Sequence, residues 1–110
     1  MRTLVLLILV CFLGSCRKFS NLPDCINTKV EEFKKSEVVC RDATVKEYSF
    51  EGKTVYLFDA GSCIADGGVG VYENNCNYLG TLWGFSGNGK IDGVDFTSTA
   101  FYKGTLWSNR

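Results

Sequence analysis

Residues 45–58 read VKEYSFEGKTVYLF, and this stretch decides the fold. Two runs rich in β-branched and aromatic residues, Val45–Phe50 and Lys53–Phe58, flank Glu51-Gly52, a two-residue link that suits a tight hairpin because glycine tolerates positive φ. Within each run the aromatics recur with period two, Tyr48 with Phe50 and Tyr56 with Phe58. That period puts each pair on a single face of a sheet. All four are expected in the core, because large aromatics supply much of the burial a small sheet needs.

Outward from the hairpin, Val69–Glu73 and Cys76–Leu82 flank Asn74-Asn75 and predict a second hairpin, since asparagine readily enters the left-handed region. Between the two hairpins, residues 59–68 are too glycine-rich for a central strand. A second glycine-rich loop runs from Gly84 to Gly93, and Phe101–Trp107 predicts a last strand. Upstream, Pro23 and Asp24 suit the start of a helix and Lys34 and Lys35 its end. Ile26, Val30 and Phe33 recur at spacings of four and three, which places them on one face, while Glu31 and Lys35 form a favourable i,i+4 pair. The expected fold is α+β, an N-terminal amphipathic helix over 23–35 packed on a small, mainly antiparallel sheet of four or five strands and braced by disulfides.

Length and composition set the outer bounds. A chain of 110 residues is one domain in size, and 45% hydrophobic content with 8 Phe, 5 Tyr and 2 Trp is enough for a packed core. Twelve basic side chains against twelve acidic ones leave no net charge, so the basic field that nucleic acid requires is missing and no nucleic-acid partner is expected. The chain has no histidine, hence neither the commonest general base near neutral pH nor the commonest metal ligand.

Arg2 precedes an unbroken apolar run from Leu4 to Leu13, half of the roughly 20 residues a membrane-spanning helix needs, as expected of a signal peptide. The run ends in Leu13-Gly14-Ser15-Cys16, which resembles the bacterial lipobox. The resemblance implies that residues 1–15 are a lipoprotein signal peptide, that Cys16 is acylated at its thiol and new amine, and that residues 16–22 tether the domain of residues 23–110 to the bilayer. Each buried acyl CH₂ contributes about 0.8 kcal/mol, so two or three palmitate-like chains anchor a protein stably where one does not. In lipoproteins of this kind acidic residues after the lipidated cysteine often direct export to the cell surface. Arg17-Lys18-Phe19-Ser20 stand there instead, so the periplasmic face of the outer membrane is expected.

Of six cysteines, Cys11 falls in the signal peptide and Cys16 under the lipid, leaving Cys25, Cys40, Cys63 and Cys76. Four cysteines in an oxidising compartment allow three connectivities. The preferred one joins Cys63 to Cys76, a short glycine-rich loop worth about 3 kcal/mol in the chain-entropy estimate, and leaves Cys25 to pair with Cys40. The spacings are not those of a structural zinc site.

Taken in order, Cys16 after the lipobox, Leu22-Pro23-Asp24-Cys25-Ile26 at the helix start, Tyr48-Ser49-Phe50-Glu51-Gly52-Lys53-Thr54-Val55-Tyr56 across the hairpin and the turn from Tyr72 to Leu79 resemble a family of small Bacteroidetes lipoproteins. The function of that family is unassigned, so the resemblance implies an uncharacterised envelope lipoprotein and supplies no catalytic residue.

Three chemistries remain as candidates. Residues 84–95 are similar to a 12-residue calcium loop, with Asn88, Asp92 and Asp95 as the ligands expected if an ion binds, although with Gly84 first and Ser86 third the first carboxylate is lost, and Asp95 is shorter than the glutamate such loops carry at the twelfth position. A small carboxylate-dependent hydrolase would draw on Asp59 and Asp66, or on Ser62 beside Cys63, but no histidine can activate a nucleophile. Trp83 and Trp107 would make an aromatic platform for a glycan or an envelope protein, if exposed rather than capping the core. The expected role is a membrane-anchored, non-enzymatic binding or structural module, with no cofactor beyond an optional calcium ion.

Overall fold

The computed structural model describes residues 22–64, 67–84 and 88–110. The expected signal peptide, Cys16 and most of the expected tether lie outside the described residues. Helix α1 spans Asp24–Lys35, strand β1 Thr44–Phe50, β2 Lys53–Asp59, β3 Val69–Glu73 and β4 Tyr78–Leu82. A two-residue ladder, β5 Lys90–Ile91 and β6 Val94–Asp95, leads into the short helix α2 Phe96–Thr99 and the last strand, β7 Phe101–Ser108. Five strands form one antiparallel sheet in the order β4-β3-β2-β1-β7, so β7 returns to the outer side of β1. Among the described residues no helix is long and apolar enough to cross a membrane.

Positive φ at both Glu51 (51°) and Gly52 (79°) is the mirror-image turn that matches strand twist, and it locks Phe50 opposite Lys53 and Thr44 opposite Asp59. In this register the two aromatic pairs lie on opposite faces. Phe50, Val55, Leu57, Val69, Val71 and Leu82 gather with Ile91 and Phe96 on one face, and Tyr48 packs against them half-buried. Val45, Tyr56 and Phe58 on the other face bury Ile26 and Val30 of α1, with Phe33 and Trp107 packed beside them. The expected helix face is therefore the packed one. Leu22, expected in the tether, also packs against this second cluster.

Two local expectations are corrected. Glu31 pairs with Lys34 at 2.9 Å rather than with Lys35, the partner one residue nearer on the same face. Asn74-Asn75 do not make a two-residue hairpin turn. Residues 74–76 form the loop, Cys76 takes the left-handed position (φ 66°), and β4 starts only at Tyr78. The Glu73 amide donates to the Asn77 carbonyl and the Cys76 amide to the Glu73 carbonyl, both at 2.9 Å, which is the three-residue loop with a bulge.

The expected cysteine pairing is also overturned. Cys25 bonds Cys76 and Cys40 bonds Cys63, with Cα separations of 6.0 and 5.8 Å. Loop length gave the wrong answer because the hairpin controls which cysteines meet. Cys40 lies before β1 and Cys63 after β2, so antiparallel pairing returns them to the same end of the sheet, where the Cys40 amide donates to the Ala60 carbonyl at 2.7 Å. Cys76 is then at the opposite end, beside the first turn of α1. At the Cys40–Cys63 end Gly61 has φ 104°, and a Cβ on it would collide with the Asp42 carboxylate and approach the Cys40 Cβ to 2.6 Å, so no other residue fits.

A sheet-spanning cleft as the candidate functional site

The segment after β4 covers only part of the sheet face opposite α1. Ile91 and Phe96 are buried in one cluster with Phe50 and Val55, and Tyr48 packs at its margin half-buried. A row of rings follows from core to edge: Phe50 to Phe96 at 5.0 Å, Phe96 to Tyr48 at 5.3 Å and Tyr48 to Tyr102 at 5.5 Å between centroids. The first two rings are buried and the last is 58% exposed. Tyr102 is set by its hydroxyl contact with Thr105 Oγ1 at 2.6 Å and by its register opposite Tyr48.

Trp83 completes the site. It follows β4 directly, has φ 58°, and its amide donates to the Asn88 carbonyl at 2.6 Å. The left-handed region is unfavourable for a bulky side chain and costs of order 1–3 kcal/mol. The next residue keeps the turn going: Gly84 has φ 65°, and a Cβ there would lie 2.5 Å from the Gly68 amide nitrogen. The indole, 44% exposed, lines two adjoining cavities together with Tyr48. The smaller, about 170 Å³, has Lys46, Leu57 and Asp59 among its other walls, and the larger, about 290 Å³, has Phe96, Thr97 and Tyr102.

Charge in the cleft is sparse and balanced. Lys46 makes no ion pair with any described residue, and Asp59 accepts one hydrogen bond, from the Gly61 amide to Oδ1 at 2.9 Å. Asp59, expected among hydrolytic carboxylates, is thus a turn former that also lines the cleft. Asp66 lies outside the described residues. Ser62, the other hydrolase candidate, donates its hydroxyl to Asp42 Oδ2 at 2.7 Å, and its amide donates to the same carboxylate. These bonds hold the Asp42 carboxyl below its ordinary value, which makes it a weak base and leaves the pair arranged as a loop clasp.

The calcium-loop residues each carry a backbone duty. Asn88 Oδ1 accepts from the Lys90 amide at 2.8 Å, Asp92 (φ 51°) and Gly93 (φ 80°) form the β5–β6 turn, and Asp95 caps α2 by accepting from the Ser98 amide at 2.9 Å and the Ser98 hydroxyl at 2.7 Å. Residues 90–95 of the candidate loop form a miniature hairpin, and its third position, Ser86, lies outside the described residues. Among the described residues no group of three or more acidic or cysteine side chains is gathered to hold a metal ion.

Trp83 and Trp107 do not form one platform. Trp107 pairs with Val45 on the helix-covered face, where its ring lies edge-on to Phe33 at 5.9 Å. Tyr48 and Tyr102 take the place expected of it, and the sequence signal for them was available: Tyr48 has a period-two aromatic neighbour and Tyr102 opens the strand that returns to it. What the pattern does not contain is where the cover over Tyr48 ends.

Comparison with curated proteins and with solved structures gives no match. A family profile described only as a domain of unknown function, DUF6970, matches residues 31–109, a span that holds every strand, both disulfide-bonded ends of the β1–β2 hairpin and the cleft. That span is well over half the chain, and the chain belongs to the DUF6970 family.

Proposed function

We propose that this chain is a lipid-anchored envelope protein whose sheet serves as a non-enzymatic binding module, held through acylated Cys16 on the periplasmic side of the outer membrane. The lipobox-like Leu13-Gly14-Ser15-Cys16 supports the anchor. The observation that carries the binding reading is Trp83, a bulky indole in a costly left-handed conformation, 44% exposed beside Tyr48 and Tyr102. Strain of this kind collects at functional positions, and exposed Trp and Tyr are the side chains from which small interfaces take most of their energy. Nothing in the Ser62–Asp42 pair or in Asn88, Asp92 and Asp95 favours the hydrolytic or calcium-dependent reading over this one.

The test uses the full chain in native envelope. A photo-reactive amino acid at position 83 is expected to give discrete adducts that the same group at Lys35, exposed on the outer face of α1, does not give. Equal labelling from both positions, or none from position 83, overturns the binding reading. Mass spectrometry of the mature N-terminus tests the anchor separately: an unmodified Cys16 thiol would refute it.

A further inference from the structure

The chemistry of the cleft narrows what it can take. Two cavities of about 170 and 290 Å³ lie at or below the lower end of the roughly 300–1,000 Å³ typical of small-molecule pockets, so the ligand has one or two rings. A cation is opposed by Lys46, which has no carboxylate partner among the described residues, and an anion is opposed by Asp59 across the same cavity. An acyl chain or apolar peptide would strip water from Lys46, Asp59 and Thr44 without replacing their hydrogen bonds, at about 1–3 kcal/mol for each group. What fits is a neutral molecule with an apolar flat face and hydrogen-bonding groups around its rim.

A pyranose has that form. In an all-equatorial hexose the axial C–H bonds make both ring faces apolar and slightly positive, complementary to the negative face of an indole or phenol ring, and the hydroxyls radiate in the ring plane. Trp83, Tyr48 and Tyr102 supply the aromatic walls. Lys46 supplies a donor, and Asp59 Oδ2, which takes no hydrogen bond from a described residue, supplies an acceptor. Because Tyr48 is already packed against Phe96 and Tyr102 is tied to Thr105, little side-chain freedom remains to be lost on binding. We infer that this cleft binds a neutral, β-linked pyranose disaccharide lying across Trp83, one ring in each cavity. The inference rests on the binding-module reading and names its ligand class.

The test uses the full chain in amine-oxide micelles, since a maltoside detergent would itself compete. A Trp107→Phe background leaves Trp83 the only indole, so its fluorescence reports the cleft during titration with cellobiose and with N,N′-diacetylchitobiose. A saturable change with a midpoint near or below about 1 mM, equivalent to about 4 kcal/mol, is expected for at least one of them. Saturation-transfer NMR on the otherwise natural chain should give the same midpoint. In it Trp83→Asn, which keeps a residue tolerant of positive φ, and Tyr102→Ala, at an exposed edge, should each raise the midpoint at least tenfold. The inference is overturned by no saturable response to either sugar up to about 50 times that concentration, by a response that survives both substitutions, or by binding of tetramethylammonium in their place. If the sugars fail while adducts still form at position 83 in the envelope, the ligand class is wrong and the binding reading stands; if both fail, both fall.

Discussion

The two faces of the sheet are finished differently. On one, α1 lies across Val45, Tyr56 and Phe58, and a chain of rings runs without interruption from Trp107 through Phe33 and Phe58 to Tyr72 and Tyr78, at 5.9, 5.4, 5.5 and 5.4 Å, with the Lys29 ammonium 4.3 Å from the Tyr72 ring centre. The Cys25–Cys76 bond fastens that cover at its first turn. On the other face the ring row starts in the core and ends at exposed Tyr102 and Trp83, because its cover is a four-residue helix and a two-residue ladder that reach only halfway. The helix-covered face uses its aromatics for stability. The half-covered face leaves rigid aromatic surface available, which is how one small sheet can be both a core and a site.

The contrast is sharpest when the cover is unfastened. Replacing Cys25 and Cys76 together by serine frees a loop with a sequence separation of 51, and in the chain-entropy model the loss is about 4 kcal/mol. Opening Cys40–Cys63, separation 23, should cost about 3.5 kcal/mol. Urea denaturation of the two double variants checks the order, and peptide mapping without reductant checks the pairing itself. A Cys63–Cys76 peptide would be incompatible with the β1–β2 register, which brings Cys40 and Cys63 to one end of the sheet.

Inside the covered face, Ile26→Ala removes a fully buried side chain at the contact of helix and sheet and should cost about 3 kcal/mol, within the range for such truncations. Tyr102→Ala, at the open edge of the other face, should stay within about 0.5 kcal/mol of the natural chain. Similar losses from both would show that the second face is as much core as the first.

How far the sequence reaches follows the same division. The hairpin of residues 45–58, the helix face of Ile26, Val30 and Phe33, and the last strand are all written in periodicity, and the five-stranded sheet and its helix contain each of them. The disulfides were legible in principle. Cys40 and Cys63 stand four residues outside the pair Thr44 and Asp59, so extending the hairpin register would have joined them, whereas closeness in sequence pointed to Cys63 with Cys76. The β5–β6 ladder and α2 are too short to repeat any pattern, and Asn88, Asp92 and Asp95 read equally as a calcium loop or as turns and caps, because both favour the same side chains. Tyr48 reads as core by every local rule. Its half-exposure depends on where a non-periodic cover stops, which only the assembled chain decides.

Acid should act on both faces through their loops. Asp42, Glu73 and Asp95 are held below the ordinary carboxyl range, foremost by hydrogen bonds from Ser62, Asn77 and Ser98 respectively. A carboxyl whose pKa is lower in the folded chain than in the unfolded one adds stability above the unfolded value, and that stability is lost as pH falls through the folded value. Thermal midpoints should therefore be flat near neutrality and decline below about pH 4. Asp95→Ala, which removes the α2 cap, should lower the midpoint at pH 7, and the gap from the natural chain should narrow as pH falls toward about 2. A constant gap would show that Asp95 acts through packing and not through its charge.

A small expected effect is the most telling, because it separates strain from burial at a single side chain. On the covered face, truncating the buried Tyr56 or Phe58 should destabilise. Trp83 stands apart, since its φ of 58° charges the fold of order 1–3 kcal/mol for a bulky side chain, and an asparagine there avoids most of that while losing the partial burial of the indole. Trp83→Asn should therefore leave stability within about 1 kcal/mol of the natural chain, with a slight gain more consistent with that strain than a slight loss. Urea denaturation followed by circular dichroism, which does not depend on the missing indole, makes the measurement. A loss above about 2 kcal/mol would place Trp83 among the core aromatics, and the half-covered face would then be an imperfectly sealed core with no strained side chain set aside for a ligand.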